Sequence, residues 1–294
     1  MDLTRYFLLP DGRLRAGWRL ALFIVFFLVS WFVFSGVASL GWRRSTITSH
    51  IVIFAAAALT TTALSMRLLE HQPFVRVGLA IERRSGNELV VGLVSGIVLV
   101  SATTLVARGV GVIQFQPSGT DTASVVALIL SITLFFAVSA TTEELLFRGY
   151  PFQRLVEASN GFVALAIFSG LFGFLHAGNP HATRLSTLNT VLAGILLSLA
   201  YLKTRALWIP IGFHFSWNWM LCLLGLPVSG LVMTPMPWKV VALPEYTWLH
   251  GGDYGPEGGL LATIVLSVGI VCLVRWEGKI PANPPDRECS DEDK

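Results

Sequence analysis

Eight apolar stretches, each long enough to cross the ~30 Å hydrocarbon core of a bilayer as a helix, set the terms on which this 294-residue chain folds. They run near Gly17–Leu40, Ser49–Met66, Leu89–Val106, Ser124–Phe147, Gly161–Ala177, Ser186–Leu202, Leu207–Leu224 and Gly259–Val274. Backbone polar groups inside a bilayer find no water, so stretches of this kind close their hydrogen bonds internally as helices. Only 13% of the residues are charged, against about 25% in soluble domains, and those charges sit in short islands between the apolar runs. The expected fold class is all-α: a polytopic transmembrane helical bundle of about eight spans. The first span has an arginine-rich approach (Arg13, Arg15, Arg19) and resembles a signal peptide. Its apolar run exceeds a usual signal core, and Trp42-Arg43-Arg44 follows, so a retained signal-anchor helix is expected.

An even number of spans puts both termini on one side. With that side cytosolic, fifteen Lys and Arg fall on it; only Arg43, Arg44, Arg108, Arg184 and Lys239 fall on the other, Arg148 being set aside as buried. The positive-inside rule then places the termini in the cytosol, as expected of an integral protein of a bacterial or archaeal cell membrane. The chain divides into N-terminal transmembrane helices over 1–123 (three spans), a core over 124–224, and a last section, 225–294, with an external loop, the last span and a tail. The loop Pro227–Glu257 is rich in Pro, Trp and Gly and is expected at the interface, with Trp238 and Trp248 at headgroup depth. The tail from Pro281 onward has the composition of a disordered, solvated segment. Cys222 and Cys272 lie in apolar runs and are expected to pack as small hydrophobes. Cys289 stands in the tail, and no C-x-x-C spacing argues for a thiolate metal site.

Three polar constellations interrupt the apolar pattern. The nineteen residues from Ser124 to Thr142 carry no charge, and then come Glu143 and Glu144, with Arg148 a turn later. An acidic residue at the centre of a spanning helix costs roughly 2.5–3.5 kcal/mol on insertion scales, and the default reading of one is a functional site with a nameable partner. Glu144 and Arg148 are i,i+4 neighbours and can pair, whereas Glu143 is rotated about 100° away. The spacing therefore divides the carboxylates: Glu144 neutralised by Arg148, Glu143 facing another surface. The alternative, an ordinary surface ion pair at a helix end, is opposed by the amphipathic continuation from Gly149, although Pro151 would kink it.

The second constellation is Phe172-x-x-x-His176, late in an apolar helix; its plain reading is a histidine satisfied near the Asn179 loop. The third is His214-x-x-x-Asn218, which puts imidazole and amide on one helical face; here the plain reading is an interhelical hydrogen-bonding pair. Counted inward from the cytosolic turns, Glu143 lies at roughly 25 Å, His176 at roughly 24 Å, His214 at roughly 14 Å and Asn218 at roughly 20 Å. All four can meet in one layer from three helices.

Such a layer can hold a hydrolytic water in two ways. Glu143, His176 and His214 can bind Zn(2+), leaving a position for a water whose pKa falls toward about 7. Alternatively, Glu143 acts as general base on a water positioned by His176, with His214 and Asn218 as donors to an oxyanion. Both describe hydrolysis of an acyl bond within the membrane. H-E-x-x-H, G-x-G-D and G-x-S-G patterns are absent, and no Asp lies in the apolar runs. A proton-coupled transporter would use similar groups, but the first three runs are poor in them. A non-catalytic membrane binding or immunity protein is the other alternative.

The set Glu143-Glu144-x-x-x-Arg148-Gly149, Phe172-x-x-x-His176 and His214-x-x-x-Asn218, in this order on successive apolar helices, resembles the signature of the CPBP family: CAAX proteases and bacteriocin-processing enzymes, also called Abi. The similar part covers roughly Ser124–Leu224. The resemblance implies an intramembrane endopeptidase with a cavity open to the cytosol. Glu143 would activate the water, His176 help hold it, His214 and Asn218 stabilise the oxyanion, and Glu144 and Arg148 support the site. It leaves Zn(2+) and a metal-free glutamate mechanism both open. The implied partners are the lipid bilayer and a membrane-anchored protein or peptide substrate, prenylated or leader-peptide in type, and no nucleic acid.

Overall fold

The computed structural model describes residues 4–41, 47–118, 122–233 and 236–277. In chain order the elements are α1 (Thr4–Phe7), α2 (Ala16–Gly41), α3 (Ile47–Leu68), α4 (Ser85–Gly109), β1 (Ile113–Pro117), α5 (Thr122–Phe147), α6 (Tyr150–Ala158), α7 (Gly161–His176), α8 (Arg184–Thr204), α9 (Trp208–Leu223), β2 (Trp238–Ala242), α10 (Thr247–His250) and α11 (Leu260–Arg275). A helix stands at each of the eight expected places, and the chain is an all-α membrane bundle. Among the described residues, five helical segments are long and apolar enough to cross a membrane: Ala16–Leu40, Ile47–Leu68, Ser85–Gly109, Val125–Ala158 and Arg184–Thr204. The other three, α7, α9 and α11, have 16 residues each, about 24 Å of helix. They fall short of the full hydrocarbon thickness.

The expected kink near Pro151 is a break. α5 ends at Phe147, and Pro151 sits in the first turn of α6, where its missing N–H costs nothing. The amides of Arg148 and Gly149 both donate to the Glu144 carbonyl, at 2.8 and 2.9 Å. Gly149 suits this tight join, since a Cβ there would lie 3.0 Å from the Leu145 Cα. After α6, the Asn160 side chain accepts from the Val163 amide at 3.0 Å and starts α7 in the reverse direction.

Two large apolar clusters and a smaller one around Val112 and Leu261 make the interior. Phe23, Leu145, Phe152, Phe168 and Tyr201 belong to one; Ile132, Leu196, Phe213, Leu221 and Leu266 belong to the other. Outward, Phe32, Leu40, Leu130 and Phe174 are left uncovered by the chain, as side chains facing lipid would be. Cys222 is buried as expected, but Cys272 is exposed on the outer side of α11; its place is toward the bilayer, not the core. Arg19, read from the sequence as a flanking charge, is fully buried. It donates to both Glu70 oxygens at 2.9 and 2.8 Å and also pairs with Glu157, while Arg154 donates to Glu70 at 3.0 Å and pairs with Glu157 at 2.8 Å. The balanced charges of this network join the start of α2 to α6.

The described residues of the connection between α9 and α11 form regular elements. β1 and β2 pair antiparallel, Ile113 opposite Ala242 and Pro117 opposite Trp238, and short helical turns lead from there into α11. Trp238 and Trp248 are partly exposed on this cap. Trp42-Arg43-Arg44, Cys289 and the tail lie outside the described residues.

α4 and α9 approach through glycine. A Cβ on Gly96 would lie 2.7 Å from the Phe213 carbonyl oxygen and 3.0 Å from the Trp217 amide, and one on Gly212 would lie 2.6 Å from the Leu89 carbonyl. With Gly92 this is a small-xxx-small face of the kind that lets membrane helices pack closely, and it seats the helix carrying His214 and Asn218. Gly96→Leu should lower stability by about 1–3 kcal/mol or more through overpacking, read as a lower melting temperature in detergent. Gly86→Leu, at a position with open space around it, should leave the melting temperature within about a degree or two of wild type.

Candidate active site

Glu144 and Arg148 form the pair expected from their spacing. Arg148 Nη1 donates to Glu144 Oε1 at 3.1 Å, and both side chains have zero exposure. The guanidinium also donates to the Gly194 carbonyl at 3.0 Å and reaches Ser198 Oγ at 3.4 Å on α8, and its carbon stands 4.8 Å from the Phe172 ring centre on α7. The same Glu144 oxygen accepts from His214 Nδ1–H at 2.8 Å on α9. With its Nδ1 proton committed, His214 turns Nε2 the other way.

What Nε2 meets is Glu143, with Oε2 at 3.8 Å, beyond a direct hydrogen bond. Oε1 of Glu143 accepts from Ser139 Oγ at 3.1 Å. The 100° turn between the two glutamates thus places one in the packed interior and the other at a cavity of about 250 Å³. Glu143, His176, His214 and Asn218 all line that cavity, as do Phe172 and Trp217. The layer expected from helix counting is formed.

His176 is held from within its own helix. Its Nδ1 is 2.8 Å from the Phe172 carbonyl, and since a carbonyl only accepts, that nitrogen carries the proton and Nε2 is the free acceptor. The Phe172 ring packs against both imidazoles, 4.5 Å from His176 and 6.0 Å edge-on from His214, centre to centre. Phe172 therefore spaces the two histidines. Asn179 does not satisfy His176; it donates to the Ser229 carbonyl at 3.1 Å.

The zinc alternative, with Glu143, His176 and His214 as ligands, requires those three to close on one point. Among the described residues no three His, Cys, Asp or Glu side chains are grouped so as to hold a metal ion. The residues as they stand do not fit a three-ligand site.

One lining carboxylate had no sequence signal. Glu257, in a glycine-rich turn ahead of α11, reaches the cavity beside His176. Its Oε2 accepts from the Ser229 amide and from Ser229 Oγ–H at 2.9 Å, and its Oε1 accepts from Trp217 Nε1–H at 3.1 Å. The backbone around it is fastened to α8, where Asn189 Nδ2 donates to the Glu257 and Gly259 carbonyls at 2.8 and 2.9 Å. The isolation of one glutamate among glycines, between a loop and an apolar run, is the only local hint, and it specifies no partner.

Residues 124–220 match the family model described as Type II CAAX prenyl endopeptidase Rce1-like, and all eight motif residues fall within that match. Over 102 residues the chain is 29% identical to the "Putative membrane peptidase YdiL" of Bacillus subtilis (strain 168). This alignment takes in 33% of the chain and spans only 40% of the length of that curated relative. The three motifs thus lie in the segment that is similar to this family model and to that putative membrane peptidase.

Burial raises the Glu257 carboxyl above its ordinary range, and the Ser229 donors oppose the rise. A carboxyl whose pKa is higher folded than unfolded favours the fold below the unfolded value and loses that contribution as pH rises through the folded one. Glu257→Gln should therefore flatten the decline in melting temperature as pH rises above the ordinary glutamate range of about 4. Arg148→Ala, which leaves Glu144 buried and unpaired, should cost about 3–5 kcal/mol, measured as a large drop in melting temperature or loss of the folded protein from membranes.

Proposed function

We propose that the chain is an intramembrane endopeptidase in which Glu143 acts on a water molecule without a metal. The observation that supports this most directly is the gathering of Glu143, His176, His214 and Asn218 around one cavity, with the Glu143 carboxylate facing His214 Nε2 across 3.8 Å. That gap is too wide for a direct bond, and a water hydrogen-bonded to both atoms would sit beside the line joining them. Glu143 takes a proton from the water, whose oxygen attacks the peptide carbonyl carbon, and His176 Nε2 accepts the other water proton as a hydrogen bond and so orients it. The carbonyl oxygen becomes an oxyanion facing the Asn218 amide and, when it carries a proton, His214 Nε2. Glu143 then passes its proton to the departing nitrogen as the C–N bond breaks, leaving a carboxylic acid and an amine. Glu144 and Arg148 do not touch the reacting atoms in this scheme; they fix the imidazole that does.

A membrane-associated polypeptide is the proposed substrate, of the prenylated CAAX type or the leader-peptide type. The test is cleavage by purified protein in detergent against a peptide library that includes prenylated C-terminal peptides. Glu143→Ala should slow cleavage by about 10²–10⁴-fold, the usual share of a general base, and a zinc chelator should leave the wild-type rate unchanged. A rate untouched by Glu143→Ala would sink the assignment of the base; a rate abolished by the chelator and restored by zinc would replace the metal-free scheme.

A further inference from the structure

The connections of the bundle separate into two faces. On one, the Leu207 amide donates to the Gly78 carbonyl at 2.9 Å, Trp208 Nε1 donates to the Ala80 carbonyl at 3.1 Å, and Lys203 Nζ donates to the Trp276 carbonyl at 2.6 Å. The Arg19, Glu70, Arg154 and Glu157 network lies on the same face. These bonds gather the start of α2, the 69–84 connection, α6, the α8–α9 turn and the end of α11: it is the face of both termini. On the other face β1 pairs with β2, Asn179 bonds Ser229, and the Gly230 amide donates to the Tyr254 carbonyl at 2.8 Å.

The cavity is lined largely from this second face. Ile47 and Ile51 line it from the first turns of α3, Asn189 and Thr190 from the start of α8, Leu266 from the early part of α11, and Ser229, Leu231, Met233 and Glu257 from the cap. No residue of 69–84, 148–160 or 203–208 reaches it. The charges divide along the same line. Of the sixteen described Lys and Arg, with Arg148 inside the bundle, twelve belong to the face of the termini and three, Arg108, Arg184 and Lys239, to the face of the cavity. The positive-inside rule assigns the crowded face to the cytosol. Termini in the cytosol and a cavity open to the cytosol, both expected from the sequence, are incompatible in a bundle of this shape, and the charges favour the termini.

We propose that the cavity opens on the non-cytosolic face of the membrane and receives an exported polypeptide whose scissile segment lies in the outer leaflet. The sidedness stands on the geometry and the charges; the word scissile rests on the peptidase reading above. The mouth suits such a segment: Ile47, Ile51, Phe135, Leu231 and Met233 surround a polar floor, so an apolar chain leaving the bilayer stays in contact with apolar walls until its backbone meets Glu143.

Single cysteines test the sidedness without any need for activity. In the full chain with Cys222, Cys272 and Cys289 changed to Ala, Val232→Cys and Ile81→Cys each place a thiol at an exposed position, 80% and 87% accessible, on the cavity face and the termini face respectively. A membrane-impermeant maleimide applied to spheroplasts should label Val232→Cys at least tenfold more than Ile81→Cys, with equal labelling after lysis. The reverse pattern overturns the proposal and leaves the peptidase reading intact. Should the cysteine-free chain fail to reach the membrane, a C-terminal fluorescent protein that matures only in the cytosol reads the same question on the wild-type chain: fluorescence supports the assignment, and a dark, exported fusion overturns it. Sealed vesicles then test the substrate side. Glu143-dependent cleavage of added peptide in right-side-out vesicles supports an exported substrate, whereas cleavage confined to inverted vesicles assigns a cytosolic one, prenylated peptides included.

Discussion

Glu144 reaches Arg148 one turn along the same chain, 3.1 Å away and with both side chains sealed from solvent, and four helices take their positions from that contact. Removing two charges from water is costly, and the attraction between them repays it only when the remaining donors are also satisfied. Arg148 meets that condition by giving its other nitrogens to Gly194 and Ser198 on α8 and its flat face to Phe172 on α7. Glu144 spends the same oxygen on His214 of α9. An apolar pair of similar volume would pack at least as well, but it would leave the imidazole free to turn. Orientation is what the ion pair contributes: it fixes which nitrogen of His214 is committed and which faces Glu143. The adjacent position on α5 then has one direction left to point, toward the cavity.

The parts of this arrangement that were legible in the sequence are those written in local periodicity. A 3.6-residue repeat allows Glu144 and Arg148 to be paired and Glu143 to be set apart before any coordinates exist, and the eight apolar runs give the helices to within a few residues. Gly92-x-x-x-Gly96 is a packing face that only the structure reveals, because its partner, α9, lies more than a hundred residues away in the chain. Glu257 is different in kind. Its burial is imposed by Ser229 and Trp217, and neither bears any fixed spacing to it, so no pattern in the chain announces it. The β1–β2 ribbon was hidden for a similar reason: each strand has five residues, too few to show alternation, and the pairing joins segments on either side of the matched core. Arg19 read as a flank because a basic residue next to an apolar run usually is one; only the approach of Glu70 and Glu157 makes it an interior group.

Helix length accounts for how water reaches a site built inside an apolar bundle. Each of the three 16-residue helices contributes to the cavity: α7 with His176, α9 with His214 and Asn218, α11 with Leu266. At about 24 Å each, they leave several ångströms of a ~30 Å core unspanned. α7 runs from the face of the termini and stops at His176, so the space beyond its last turn is not filled by its own continuation. Backbone that is not helical is tolerated at such depth only where protein covers it or a polar cavity accepts it, and the cap supplies both conditions, through the bonds from Asn179 to Ser229, from Ser229 and Trp217 to Glu257, and from Asn189 to the turn before α11. A lining carboxylate at this point keeps the depression polar where lipid would otherwise close over it. The shortness of three helices and the folded loop above them are thus one solution to one problem: a carboxylate that must stay buried enough to be held by packing, yet open enough to reach water.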